Sequence, residues 1–174
     1  MMKKLLLLLL VLPFVASAAP KVPKTEKAAK AAAEMKAFQA ICELVNSKQF
    51  QIEVDKVYPQ DGFDVSRFNP EGKIIVTDSI AKGNLPFFGR AYSLPYGEGG
   101  GIEFDERMKK VKIQLIHKRK KRAIMFDFSI PGQKDQYQIS IEAMPNGRCT
   151  IQLHSNQRTT ISYGGYISHI TPPQ

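Results

Sequence analysis

Residues 124–153 read IMFDFSIPGQKDQYQISIEAMPNGRCTIQL. Ile124, Phe126, Phe128 and Ile130 alternate with Met125, Asp127 and Ser129. Tyr137, Ile139, Ile141 and Ala143 alternate with Gln138, Ser140 and Glu142, and Cys149, Ile151 and Leu153 with Thr150 and Gln152. Successive side chains of a strand point to opposite faces, so a period of two predicts strands with one dry and one wet face. Pro131-Gly132 and Pro145-Asn146-Gly147 turn the chain between them, and Asn-Gly is a strong hairpin signal. The stretch predicts three consecutive antiparallel strands.

The same period runs outward in both directions. Phe50, Ile52 and Val54 alternate with Gln51, Glu53 and Asp55. Ile74 with Val76, and Ile102 with Phe104, mark two short strands. Val111, Ile113 and Leu115 alternate with Lys110, Lys112 and Gln114, and a last strand runs near Thr160–Ile167. Before Phe50 the period is different. In residues 26–48, Ala31, Met35, Phe38, Cys42 and Val45 fall at helical spacing with Ile41 beside them, opposite Lys30, Lys36 and Glu43. Thr25 is a candidate cap. The fold expected is α+β and predominantly antiparallel β: an N-terminal amphipathic helix followed by about eight antiparallel strands. Strands with one wet face form a curved sheet or a barrel, or lie under the helix.

The chain has 174 residues and a formal net charge of +9. Residues 1–18, MMKKLLLLLLVLPFVASA, hold a positive start at Lys3 and Lys4, an apolar run from Leu5 to Val15, and the small residues Ala16-Ser17-Ala18. That order is a secretory signal peptide. The apolar run covers only about half of a ~30 Å hydrocarbon layer. No cysteine lies near the cut, so no lipoprotein attachment is expected, and no later segment is long and apolar enough to span. The expected product is exported, soluble, and periplasmic or secreted. It consists of a flexible lead-in at 19–25, one domain at 26–170 and a loose tail at 171–174. Cys42 and Cys149 are the only thiols. Export permits a disulfide between them, while their apolar settings equally suit two free buried thiols.

Two segments stand out. Leu85–Gly101, LPFFGRAYSLPYGEGGG, is rich in glycine and aromatic residues. It matches neither phosphate-binding glycine pattern, and a strand rather than a helix follows it. Phe87, Phe88, Arg90, Tyr92 and Tyr96 are the candidate ligand-contact residues, for a sugar ring or a peptide. The other reading is a loop whose aromatics plug the open end of the sheet. Arg107–Arg122, RMKKVKIQLIHKRKKR, carries nine basic residues and no acidic one. The leader accounts for two of the positive charges, so the mature chain is +7 and everything outside this segment sums to −2. Lys118, Arg119, Lys120, Lys121 and Arg122 fall in a turn and form a cationic hairpin tip, the candidate anionic-surface site. Export argues against nucleic acid. Anionic envelope components, lipid head groups or acidic glycans, are the accessible partners. Alternatively, the lysines are a solvated turn that blocks edge pairing.

Catalytic patterns are missing. His117, His154 and His169 lack metal spacing, and no G-x-S-x-G elbow occurs. His117 shares the parity of Leu115 and is expected at the edge of the core. Glu103 and Asp105 share a face about 7 Å apart by the strand rise. Solvated strands often carry such a pair. No cofactor, metal or catalytic residue is assigned.

The block LPFFGRAYSLPYGEGGGIEFD resembles the hallmark of a domain-of-unknown-function family of exported bacterial proteins, largely from Gram-negative gut anaerobes. The later run FDFSIPGQKDQYQISIEAMPNGRCTIQLHSNQRTTISYGGYI is similar to that family's second half, and SKQFQIEVD agrees with it too. The resemblance implies export and a single domain. It carries no activity, cofactor or site residue, and Cys42 and Cys149 are not part of the pattern. The function read from the residues is a non-enzymatic, exported binding or envelope-associated module. The alternatives are a small hydrolase of envelope glycans or peptides, with Glu103 or Asp105 beside Tyr96 and Arg90, and a protein inhibitor or assembly partner.

Overall fold

The computed structural model describes residues 24–60, 65, 71–92, 100–118, 121–131 and 135–171. The expected signal peptide at 1–18 lies outside these residues, as does most of the lead-in. One helix, α1 (Lys24–Ser47), precedes nine strands: β1 (Gln49–Pro59), β2 (Gly72–Thr77), β3 (Ile80–Pro86), β4 (Gly101–Arg107), β5 (Lys109–Lys118), β6 (Lys121–Ile130), β7 (Tyr137–Ala143), β8 (Arg148–Ser155) and β9 (Ile161–His169). The helix begins at Lys24, one residue before the expected cap position.

All pairings are antiparallel, in the order β4-β3-β2-β1-β9-β8-β7-β6-β5. The two outermost strands, β4 and β5, are neighbours in sequence, with Met108 alone between them. Laid flat, nine strands would separate these edges by eight spacings of about 4.8 Å, roughly 38 Å. One linking residue bridges no more than about 7 Å. The sheet must therefore roll until its edges meet at Met108. It is a strongly curled half-barrel. Met108 is buried there, and its N–H donates to Ser79 O at 2.8 Å.

The inward parity fills the concave side. Phe50 meets Phe126 edge to face at 5.5 Å between centroids. Phe38, Leu44 and Val45 of the C-terminal half of α1 are buried with them, while the alanine-rich first half of the helix is exposed. A helix whose apolar stripe strengthens along its length docks by its later turns.

One expectation, on β5, needs correction, and one strand, β3, has no counterpart among those the alternation marks. Its inward residues are Ala81, Gly83 and Leu85, and two small ones make a weak period. Gly83 is needed: a Cβ there would lie 2.2 Å from Phe104 Cζ on the neighbouring strand. Val111 and Leu115, expected on the dry face, are 39% and 64% exposed, and His117 is exposed too. Parity chooses the face of a strand, but β5 is terminal and little lies over that face. Thr171 bonds to β1. Its N–H donates to Gln51 Oε1, and its hydroxyl accepts from Gln51 Nε2, each at 3.2 Å. The remaining tail residues, 172–174, lie outside those described.

Candidate functional site

The cationic segment forms β5 and the start of β6. A register shift between Lys109 and Lys112 places Lys110 at φ 53, in the left-handed region that a lysine seldom adopts. Such a bulge bends an edge strand and re-aims its side chains. The Ser129 hydroxyl donates to Lys109 O at 3.2 Å and fixes the bulge from β6. Beyond it the hairpin continues to the Lys118–Lys121 pair.

The charges of this arm fall into two groups. Lys121 is paired with Glu142 of β7 at 2.6 Å, and Arg122 with Glu34 of α1 at 3.1 Å. Those two tie the arm to its neighbours. Lys109, Lys110, Lys112 and Lys118 are exposed and make no ion pair among the described residues. Arg119 and Lys120 lie outside the described residues. The free cations therefore run along the edge strand rather than gathering only at the tip. The sequence missed Lys109, Lys110 and Lys112 as candidates, although their charge was plain, because nothing local tells a paired cation from a free one.

The aromatic segment starts as strand, since Leu85 and Pro86 end β3 and Leu85 is buried. Phe87 and Phe88 are half-buried and pack against the core. The chain then follows the turn between β8 and β9. Thr159 N–H donates to Arg90 O at 3.0 Å, Tyr92 N–H donates to Gln157 O at 2.8 Å, and Ala91 bridges Arg158. Arg90 is exposed, and Tyr92 is 65% exposed. Tyr96 lies outside the described residues. The five candidates are thus divided: two rings face inward, and Arg90 and Tyr92 face solvent.

Under Phe87 lies a buried ionic network that the sequence did not reveal. Arg158 Nε donates to Asp135 Oδ2 at 3.3 Å, with both side chains under a tenth exposed. Ser155 Oγ donates to Asp135 Oδ1 at 2.6 Å, and the Arg158 guanidinium lies 5.0 Å from the Phe87 ring centroid. Burial pushes the Tyr137 phenol from 10 up to about 12; the Asp135 carboxylate adds to the rise and Arg158 opposes it. Burial also raises the Tyr163 phenol, which donates to Pro86 O at 3.0 Å. Every charge in this cluster has a protein partner, so it reads as a clamp on that end of the sheet. Asp135 and Arg158 are far apart in sequence and follow no spacing rule.

No hydrogen bond or ion pair joins Glu103 or Asp105 to Arg90 among the described residues. Asp105 pairs instead with Lys82 at 3.1 Å, in the open. His154 Nδ1 lies 3.0 Å from Thr160 Oγ1, and no group of three or more His, Cys, Asp or Glu side chains that could hold a metal ion occurs among the described residues. Both thiols are free. Burial pushes the Cys149 thiol from 9 up to about 12. Among the described residues, no helix is long and apolar enough to cross a membrane.

The chain is similar in fold to a solved structure. The solved protein is a DUF4251 family protein from Bacteroides eggerthii DSM 20697, known from a crystal structure at 1.95 Å. The two share 20% identity with a TM-score of 0.53, over 79% of this chain and 91% of that one. The model of that family, a domain of unknown function, matches residues 32–167. The chain belongs to the DUF4251 family. The DUF4251 match takes in the later two-thirds of α1 and nearly all of the sheet, including the arm and the buried network. No curated protein matches the chain.

Proposed function

We propose that this DUF4251 protein is a non-enzymatic, exported binding module that rests on an anionic envelope surface through its β5–β6 arm. The observation that carries the reading is the row Lys109, Lys110, Lys112 and Lys118, four exposed ammonium groups that make no ion pair among the described residues, on a strand at the edge of the sheet. The signal-peptide pattern of residues 1–18 supports export. The ligand chemistry is a layer of phosphate head groups, where each cation contributes on the order of 1 kcal/mol. Arg119 and Lys120 would add to the row, and Arg90 and Tyr92 are the residues of the aromatic segment that reach solvent for contact.

The test is co-sedimentation with vesicles of phosphatidylcholine containing a fraction of phosphatidylglycerol. Changing the four lysines to Gln should lower partitioning on the order of a thousandfold, since four such increments are removed. Added salt should weaken wild-type binding, because exposed charges are screened. Partitioning indifferent to both changes would end the electrostatic reading.

A further inference from the structure

We infer that the outer face of β1, β9 and β8 is a binding site for an uncharged oligosaccharide, with Tyr58 and Tyr166 as its two stacking platforms. Both tyrosines occupy the wet parity of their strands, where polar side chains are the rule, and they are 52% and 46% exposed. Tyr58 is opposite Ser162 and Tyr166 is opposite Glu53 in the β1–β9 register. Four residues of β9 therefore separate the two positions, about 13 Å at the strand rise. A single sugar ring does not span that distance, whereas a chain of sugars does. The outward residue between them on β9 is Gly164, which leaves the surface low. The Tyr58 ring lies over Gly164, with a Cβ built there 3.5 Å from Tyr58 Cε2.

Tyr166 is held in place from one side only. The Arg148 guanidinium stacks 4.7 Å from its ring centroid, and Arg148 Nη1 donates to the Tyr166 hydroxyl at 2.9 Å. Asp55 reaches across from β1 and holds Arg148 at 3.4 Å. Two backbone features make that reach possible. A register shift between Val54 and Lys56 turns Asp55 out as an extra residue. On the intervening strand stands Gly165, where a Cβ would lie 2.3 Å from Glu53 O. A platform fixed through its neighbours before the ligand arrives loses less freedom on binding.

Beside Tyr166 lies a cleft of about 580 Å³, lined in part by Glu53, Asp55, Lys73 and Asn84. That volume falls in the range of ligand pockets. Its chemistry points to hydroxyl groups rather than an ion. Glu53 is paired with Lys73 at 3.9 Å and Asp55 with Arg148, which offsets two of the three carboxylate residues at the cleft; Glu71 is the third, and the set of acceptors and donors is suited to hydroxyls. Asn84 adds an amide that donates and accepts. Lys56, between the platforms, is exposed and forms no ion pair among the described residues. An apolar ring face beside mixed donors and acceptors matches a sugar, which has C–H groups on one face and hydroxyls at its rim.

The test is affinity electrophoresis of the whole mature protein in gels cast with a neutral polysaccharide: arabinoxylan, galactomannan or mixed-linkage β-glucan. Retardation is expected in at least one. Tyr58→Ala and Tyr166→Ala should each weaken it about tenfold, as truncated aromatic anchors do. Tyr58→Phe, which keeps the ring, should retain most of it. The four-lysine variant should run as wild type, which separates this site from the proposed membrane contact. Unchanged melting temperatures would show that the variants are folded. Mobility unaltered in every gel would overturn the inference. So would retardation that survives the double alanine variant or is lost in the four-lysine variant instead.

Discussion

The end of the sheet closed by the Arg158–Asp135 clamp and the β5–β6 arm use charged side chains in opposite ways. At the closed end Arg158 and Asp135 are buried together, bonded to each other and to Ser155. Along the arm Lys109, Lys110, Lys112 and Lys118 stand in solvent with no ion pair among the described residues. A buried charge must be matched, because desolvation costs several kcal/mol per ion. An exposed one need not be, and its worth to stability is small. Charge alone therefore says nothing of purpose. Burial divides cations that close the fold from cations left for a partner.

The largest test of that division breaks the buried pair. Arg158→Ala leaves Asp135 buried without its counter-charge and should cost about 3–5 kcal/mol. Urea unfolding measures it. A loss below about 0.5 kcal/mol, the level of an ordinary surface substitution, would erase the distinction between the two regions. Asp135→Ala should be as damaging, and the double variant less so than the sum, since the two share one interaction.

The seam near the closed end gives the next effect. Gly83 admits the Phe104 ring, whose centroid lies 6.1 Å from that of Tyr137 on β7. Gly83→Ala forces the ring aside and should cost about 1–3 kcal/mol by overpacking. Adding Phe104→Leu should restore part of the loss. Full additivity of the two changes would show that the glycine is not there for the ring.

A third test changes no residue. Tyr137 titrates near 10 when unfolded and at about 12 in the fold, where burial favours the neutral phenol. Between those values the unfolded chain gives up the proton first, so it binds fewer protons than the folded one. Stability from this group is whole below pH 10 and is lost as pH rises toward about 12. Stability measured across that window should fall, and Tyr137→Phe should flatten the fall. An equally steep fall in the variant would remove Tyr137 from the cause.

How far the sequence foretold this follows from where each signal is local. The alternation in 124–153 foretold β6, β7 and β8, because a half-buried strand writes its own period. Asn146 and Gly147 marked the turn that the structure closes with Gly147 N–H donating to Met144 O at 3.0 Å. Gly83 hid β3, since its reason is a ring on another strand. The Asp135–Arg158 clamp was invisible for the same cause. Leu115 shows the reverse: its parity was legible, but whether anything covers it depends on strand order, which no window of sequence holds. Tyr58 and Tyr166 did leave a trace, as aromatic residues at the wet parity of their strands.

The smallest expected effect is the sharpest for the arm. Leu115 and Ile124 are opposite one another in the β5–β6 register and carry side chains of similar size. Leu115 is 64% exposed and Ile124 fully buried. Leu115→Ser should change stability by no more than about 0.5 kcal/mol. Ile124→Ser, by contrast, should cost at least the 2–5 kcal/mol, roughly, of a large-to-small core change, with a buried hydroxyl added. Urea midpoints of the two variants give the ratio directly. A substantial loss from Leu115→Ser would mean that the arm is covered in solution, by a second copy or by the chain outside the described residues. Its lysines would then be interior to an assembly, and the contrast with the closed end would fail at the arm rather than at the clamp.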